Sequence, residues 1–353
     1  MVDLARHDDH GQDDPGRAER PRRLLTTSVV IVDYHAGPAL RRCLGSLEAA
    51  GDELEVIVVD NGGDVEPAEG FTLVSPGRNL GFAAGANLGA SRAQGDVLVF
   101  LNPDTVAAPG AVGALAAAAE DRDVGIAMAR LRLLDEPELL NSDGNVVHLS
   151  GLAWVGGHGA PADRVTEVRD VAYPTGAAMA MRSRLFNELG GFTPELFMYL
   201  EDLELGWRAR LNGLRVVVTP EADIFHEYEF GRNPRKLYLI ERNRLVFVLS
   251  SYSWRLLFLL APLLAAAELG LLGLSAKEGW LKDKLAGWGW CVRHAGWIAR
   301  HRRETQRLRR VRDRELARYL TPVLDPQVVE LPGVIPVANA LMRGYWSVAR
   351  RLL

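Results

Sequence analysis

The chain has 353 residues, 48% of them hydrophobic, and a formal net charge of −4. This length and composition can bury a sizeable core, in one large domain with an appendage or in two domains. The two cysteines, Cys43 and Cys291, are far apart and lack C-x-x-C spacing, which argues against a disulfide framework or a thiolate metal site.

Residues 1–23 are polar and mixed in charge, and they contain no apolar segment of the kind found in a secretory signal. We expect them to form a disordered arm. Ordered structure should begin near Leu24.

From Leu24 the chain alternates short apolar runs with helical patterns. TTSVVIVD, LEVIVVD, FTLVS and VLVFL each indicate a buried strand, and helical periodicity is visible in GPALRRCLGSLEAAG and in residues 82–93. Apolar strands separated by helices predict a parallel α/β sheet, which binds ligands at the carboxyl ends of its strands.

The pattern becomes less regular after Ala111. We predict a helix at residues 111–120, a strand at residues 124–133, and a helix that ends at Gly190 and Gly191. The segment FMYLEDLELGWRARLNG predicts a helix with an acidic first turn, which suits the positive end of the helix dipole. LRVVVTP predicts one more strand, and ADIFHEYEFGR contains a lone histidine.

The C-terminal part is apolar and then basic. Residues 256–274 carry a single charge, Glu268, and are long enough to span a bilayer. Residues 277–318 contain 13 basic and 5 acidic residues, whereas residues 1–276 have a net charge of −13. One crossing would place the basic cluster on the far side of the membrane, so zero or two crossings fit better.

Four tryptophans lie within or beside this basic cluster, at Trp280, Trp288, Trp290 and Trp297. Tryptophan beside lysine and arginine is typical of helices in the lipid headgroup region. Two alternatives remain open: a helical subdomain packed on the main body, and a tail that binds nucleic acid.

Acidic residues follow apolar strands or begin a helix at three places: Asp60, Asp104 and the pair Glu201 and Asp202. Taken singly, each could cap a turn or complement a helix dipole. Together they provide what a nucleotide-dependent transfer needs, namely a contact to ribose or base, a ligand for a divalent cation, and a general base. Their spacing alone does not assign these roles.

Five motifs in order resemble those of the GT-A glycosyltransferases of family two, most closely the bacterial rhamnosyltransferase-like branch that extends lipid-linked cell-surface glycans. They are SVVIVDYHAGPALRRCLGSL, EVIVVDNGG, NLGFAAGANLGASRAQGDVLVFLNPDT, TGAAMAMRSRLFNELGGFTPELFMYLEDLELGWRARLNG and HEYEFGR. The resemblance covers about residues 28–249. It implies a Rossmann-like GT-A domain at residues 24–250, with a mostly parallel sheet flanked by helices, and a helical, membrane-associated appendage at residues 251–353.

The resemblance also implies roles for individual residues. Asp202 would be the general base, with Glu201 and Arg208 supporting the acceptor or the diphosphate. Asp104 would bind Mg²⁺ or Mn²⁺, and His226 would be a further metal or phosphate contact. The nucleotide would be bound by Asp33, Tyr34, Asp60, Asn79, Gly81, Asn87 and Asn102.

The implied reaction is inverting transfer of a sugar from a nucleotide-sugar donor, dTDP-rhamnose in the first instance, to a polyprenyl-diphosphate-linked or other glycan acceptor. It would take place on the cytoplasmic face of the bacterial plasma membrane, with a peripheral or monotopic enzyme on an anionic surface and no nucleic-acid partner. The alternatives are a UDP- or GDP-sugar donor, or a non-catalytic membrane-attached protein that binds nucleotide sugars. A non-catalytic relative would be expected to lack Asp104 or Asp202, and both are present.

Some positions depart from the family pattern. Gly63 replaces the usual serine of the DNGG turn, and Glu204 stands where aspartate is commoner. Glu229 and Phe230 stand where a small or hydroxyl residue often separates the histidine from the glycine. Asn102 is neutral where many relatives have an acid, so we expect the donor's own diphosphate to supply more of the metal ligation.

Overall fold

The computed structural model describes residues 26–50, 53–227, 235–325, 333 and 335–353. The predicted arm at residues 1–23, Glu229 and Phe230 lie outside these ranges. The strands are β1 Thr27–Asp33, β2 Leu54–Asp60, β3 Thr72–Val74, β4 Val97–Leu101, β5 Thr105–Ala107, β6 Val124–Leu133, β7 Leu140–Ser142, β8 Asn145–His148, β9 Ala153–Val155, β10 Arg169–Asp170, β11 Ala178–Arg182, β12 Arg215–His226 and β13 Leu320–Thr321. The helices are α1 Pro38–Ala50, α2 Gly81–Ala90, α3 Ala111–Glu120, α4 Ser183–Leu189, α5 Glu201–Leu211, α6 Lys236–Ser251, α7 Trp254–Lys277, α8 Leu281–Arg293, α9 Ala295–Arg307, α10 Asp313–Leu316 and α11 Ile335–Ala349.

The main sheet has the strand order β10-β12-β6-β11-β4-β1-β2-β3. The strands β4, β1, β2 and β3 are parallel, and β1 pairs with β2 so that Asp33 lies opposite Asp60 at their carboxyl ends. The predicted GT-A type of α/β fold is confirmed. Strand β11 runs antiparallel between β4 and β6, which makes the sheet mixed.

Both faces of the sheet are covered, which explains why its strands read as continuous apolar runs. Val29 and Ile31 of β1 point to one side, into a cluster with residues of α1 and α3. Val30 and Val32 point to the other side, into a cluster with residues of α2, α4 and α5. The alternation follows from the two-residue period of a strand.

Strand β12 is longer than the predicted LRVVVTP strand. Its register with β6 shifts between Thr219 and Asp223, and pairing then resumes as far as His226. The shift contains Pro220, which has no backbone N–H to donate and so interrupts the ladder. Because β12 also pairs with β5, it places His226 opposite Thr105, directly after Asp104.

Glu268, the single charge of residues 256–274, is partly buried against the rest of the protein. Glu268 of α7 forms ion pairs with Arg244 of α6 and with Lys284 of α8, and Lys284 Nζ lies 2.7 Å from Glu241 Oε2. One face of α7 therefore packs on the main body. Among the described residues, α7 is the helix long and apolar enough to cross a bilayer, a property that core helices of soluble proteins share. Of the two predicted arrangements, this favours zero crossings over two.

The tryptophans of α8 and α9 contact the protein itself. Trp288 Nε1 donates a hydrogen bond to Glu268 Oε2, Trp290 stacks on His294, and Trp297 stacks on His301. These contacts agree with the alternative of a packed helical subdomain rather than with tryptophans used as lipid anchors.

Candidate active site

A large cleft lined by described residues opens at the carboxyl edge of the parallel strands and has a volume of about 2040 Å³. It brings together residues that are far apart in the sequence, as the sheet topology predicts. The predicted site residues that line it are Tyr34, Asn79, Gly81, Asn102, Asp104, Glu201, Asp202 and His226.

Asp33 and Asp60 lie buried at the carboxyl ends of β1 and β2, and neither lines the cleft. Asp60 accepts hydrogen bonds from the backbone N–H groups of Gly63, Asp64 and Val65, so its carboxylate shapes the turn after β2. Both carboxylate oxygens of Asp33 are buried, and within the described residues neither meets a donor in regular hydrogen-bond geometry. Burial, together with the nearby charge of Asp64, raises the pKa of Asp33 to about 6. Carboxylate oxygens of Asp33, Asp60 and Asp64 lie within 4.8 Å of one another.

The two predicted metal ligands meet in the cleft. His226 Nε2 lies 3.3 Å from Asp104 Oδ1, and His226 Nδ1 lies 3.0 Å from Asn141 Oδ1. Because the amide oxygen can only accept, Nδ1 carries a hydrogen and donates it to Asn141. A histidine held in one tautomer by an outer partner, next to a carboxylate, is a donor set that suits a divalent cation.

The proposed base lies in the first turn of α5. Asp202 Oδ2 accepts a hydrogen bond from the Gly176 N–H at 2.9 Å, and Oδ1 accepts one from the Leu203 N–H at 2.7 Å. Burial raises the pKa of Asp202 to about 6, although these hydrogen bonds favour its charged form. Burial and the charge of Asp202 raise the pKa of Glu201 well above its usual range. Asp202 is thus fixed in orientation and close to the pKa of an effective general base.

The segment before α5 has an unusual backbone. Phe197, Tyr199 and Leu200 have positive φ angles of 65°, 69° and 62°, and all three line the cleft. Asn243 of α6 holds this segment, because its Nδ2 donates to the carbonyl oxygens of Leu196, Met198 and Tyr199. Backbone strain of this kind persists only where surrounding contacts enforce it, and it is concentrated at functional sites.

Gly81 is required by the same segment. It has a φ of +76°, and a Cβ atom at this position would lie 2.5 Å from the Phe197 ring. Asn61 holds the backbone of Gly81 in this position, because its Nδ2 donates to Gly81 O at 3.0 Å. The loop predicted to lie under the nucleotide is therefore packed tightly against the segment that leads into α5.

Four predicted site residues do not line the cleft: Asp33 and Asp60, which are buried, and Arg208 and Asn87. Arg208 is buried, donates to the carbonyl oxygens of Leu189 and Gly191, and pairs with Glu204 at 2.6 Å. Asn87 forms two hydrogen bonds with the backbone of Phe192. Because both side chains point inward from their helices, they support the turn at residues 190–192 instead of contacting a substrate.

Glu204 links α5 to the C-terminal part. It is fully buried, and His301 Nε2 of α9 lies 3.2 Å from its Oε1. Burial alone would raise the pKa of Glu204, but Arg208 and His301 outweigh this and hold it at about 2. The departure from the usual aspartate thus provides the longer side chain that reaches both Arg208 and His301.

Sequence reasoning missed Asn141, Gly176 and Asn243. Each acts through a backbone or ring contact that depends on distant strands or helices meeting, so none stands out in its own segment. Asn243, although fully buried, lies in the charged run Glu241–Arg244 of α6, so its sequence neighbours do not mark it as a buried polar residue.

Residues 28–190 match the family model described as Glycosyl transferase family 2. The N-acetylglucosaminyl-diphospho-decaprenol L-rhamnosyltransferase of Mycobacterium tuberculosis is 28% identical over 244 residues, which cover 58% of this chain and 78% of that protein. The O-antigen biosynthesis protein RfbC of Myxococcus xanthus is 31% identical over 154 residues, which cover 41% of this chain and 12% of that protein. The crystal structure of GalNAc-T7 with UDP, GalNAc and Mn²⁺ has a similar fold, with a TM-score of 0.53 and 19% identity over 65% of this chain and 48% of that one.

Proposed function

The chain is a glycosyltransferase of family 2, of the rhamnosyltransferase-like kind, and from this premise we propose that it transfers rhamnose from dTDP-rhamnose to a lipid-linked glycan with inversion. The sugar and the acceptor class are those in the name of the mycobacterial relative. A UDP- or GDP-sugar donor is the second candidate, because the aspartates at the nucleotide end do not distinguish the bases.

The observation that carries this proposal is the placement of Asp202 in the same cleft as Asp104 and His226. One wall provides a carboxylate oriented by two backbone N–H groups, and another provides the donor set that suits a cation. A non-catalytic binding protein would not need the first of these.

In the proposed reaction Asp202 accepts the proton of the acceptor hydroxyl as that oxygen attacks the anomeric carbon. The bond from this carbon to the nucleotide diphosphate breaks at the opposite face, and the diphosphate leaves with the electron pair. The raised pKa makes Asp202 a stronger base than an exposed aspartate, while leaving it mostly ionised at neutral pH. No covalent intermediate with the enzyme is required.

Asp104 and His226 would hold Mg²⁺ or Mn²⁺, and Asn141 would keep His226 in the ligating tautomer. A bound cation would neutralise the charge that develops on the departing diphosphate. Asn102 lines the cleft as a neutral neighbour, so the protein offers few charged ligands of its own at this site.

We also propose that residues 251–353 attach the enzyme to the cytoplasmic face of an anionic membrane, as a peripheral or monotopic protein. Large apolar side chains are exposed on three helices of this part, among them Trp254, Phe258, Leu269, Val292, Val337, Leu341 and Val348. The same part carries the surplus of basic residues, which would be attracted to anionic headgroups.

A donor screen tests the proposal. The purified full chain is incubated with Mg²⁺ or Mn²⁺, a polyprenyl-diphosphate-linked N-acetylglucosamine, and a panel of dTDP-, UDP- and GDP-sugars, and nucleotide release is measured. We expect acceptor-dependent release of dTDP from dTDP-rhamnose. Release from UDP- or GDP-sugars alone would show that one of these, and not dTDP-rhamnose, is the donor. Nucleotide binding without release from any donor would overturn the enzymatic proposal.

A further inference from the structure

The cleft continues beyond the catalytic carboxylates into an apolar groove between α7 and α11. Its α7 wall is one face of the helix, formed by Pro262, Ala266, Gly270 and Leu274, which recur every fourth residue. Its α11 wall includes Ala338 and Met342. We call this part of the cleft the α7–α11 groove.

The two helices are antiparallel and are joined at one end. Tyr345 donates a hydrogen bond to the carbonyl oxygen of Leu259, and Arg255 donates one to that of Leu352. Leu256 and Trp346 are buried in one cluster at this end. These contacts join the start of α7 to the C-terminal end of α11. The groove lies toward the opposite end of α7.

Along α7, the described part of the chain leaves the groove open and uncharged. A Cβ atom added at Gly270 would meet no heavy atom within 4 Å. The one carboxylate of this apolar stretch, Glu268, is engaged by Arg244 and Lys284 and does not line the groove. An exposed apolar channel that is continuous with a catalytic cleft needs an apolar occupant to be removed from water.

Cations line the cleft next to the strained segment. Arg235 and Lys236 lie at the start of α6, and Lys236 Nζ is 5.7 Å from the centre of the Tyr199 ring. Tyr199 is three residues before Asp202. The lining of this one cleft therefore includes carboxylates for a sugar hydroxyl, cations for a diphosphate, and an apolar channel.

We propose that the α7–α11 groove binds the first isoprene units of a polyprenyl diphosphate acceptor. This rests on the proposed function and specifies how its acceptor is held. The α7 wall from Pro262 to Leu274 is about 18 Å long at 1.5 Å per residue, so the groove holds the start of the prenyl chain and leaves the rest in the bilayer. Bulk introduced into the groove should therefore weaken binding of the prenyl chain without changing the catalytic carboxylates.

Two tryptophan substitutions on adjacent alanines test this proposal. Ala266 lines the groove, whereas Ala265 is exposed on α7 and does not line it. Binding of undecaprenyl diphosphate to the full chain in detergent is measured for wild type, Ala266→Trp and Ala265→Trp, with no donor present. We expect Ala266→Trp to raise Kd about tenfold or more and Ala265→Trp to leave it unchanged.

A second variant and a second measurement keep the result interpretable. Gly270→Leu fills open space at a helical position, where leucine favours the helix, so it should fold and should weaken binding as Ala266→Trp does. Association with anionic vesicles should be the same for all variants. Unchanged Kd values in both groove variants, equal losses in Ala266→Trp and Ala265→Trp, or a loss of vesicle association that parallels the loss of ligand binding would overturn the proposal.

The result is independent of the donor screen. Because the binding measurement needs neither donor nor turnover, failure of every nucleotide sugar would refute the proposed activity and leave the groove measurement readable. If turnover is found, Ala266→Trp should raise KM for a long-chain acceptor and leave kcat for a short-chain, water-soluble analogue unchanged.

Discussion

Asp202→Asn should lower kcat by about 10² to 10⁴ while leaving nucleotide binding largely intact, because it removes the general base from the cleft. An asparagine is close in shape and its amide oxygen can still accept from the Gly176 N–H, so the start of α5 should be preserved. The measurement is kcat and the nucleotide Kd for wild type, Asp202→Asn and Asp135→Asn. Asp135 is exposed and lies outside the cleft, and its substitution should change neither value.

The assignment of Asp202 as the general base also predicts how the rate depends on pH. Because the pKa of Asp202 is raised to about 6, the wild-type rate should fall as the pH drops below this value and the carboxylate takes up a proton. The residual activity of Asp202→Asn should lack this limb. Near-normal turnover in the mutant, or the same acidic limb in both proteins, would remove Asp202 from the reaction.

Asp104→Ala should weaken Mg²⁺ or Mn²⁺ binding in the presence of nucleotide and lower turnover, each by about 10²-fold or more, because it removes the charged protein ligand beside His226. Calorimetry of the wild type should show weak metal binding alone and much tighter binding with nucleotide, since Asn102 contributes no charge and the donor's diphosphate must supply ligands.

The structure provides a control that separates two candidate metal positions. Asp33, Asp60 and Asp64 form a second group of carboxylates, around the carboxyl ends of β1 and β2. If the cation is held by Asp104 and His226, Asp64→Ala should leave metal affinity nearly unchanged. Strong metal binding by the nucleotide-free wild type, or a larger effect of Asp64→Ala than of Asp104→Ala, would contradict the assignment.

The fold could be predicted where local pattern and tertiary environment agree. The helix at residues 111–120 and the strand at residues 124–133 have the predicted bounds, because apolar periodicity determines both. The antiparallel placement of β11 and the length of β12 could not be predicted. Both depend on pairing between strands more than 40 residues apart, which leaves no mark in either segment.

The candidate site was predictable as a set of residues rather than as a set of roles. Motif order identified Asp104, Asp202 and His226, and the structure brings all three to one cleft. Motif order could not show that Arg208 and Asn87 point inward. A helix presents several faces, and only packing decides which of them reaches the ligand. For the same reason the partners of Glu268 on α6 and α8 could not be read from an apolar stretch with one charge.

The most direct test of the account is the configuration of the sugar in the product. The purified enzyme is given dTDP-rhamnose, or whichever donor the screen identifies, with a lipid-linked acceptor, and the anomeric configuration of the transferred sugar is determined by NMR. A single displacement assisted by Asp202 predicts inversion relative to the donor. Retention of configuration would require a different reaction course and would contradict the assignment of Asp202 as the base of a one-step transfer.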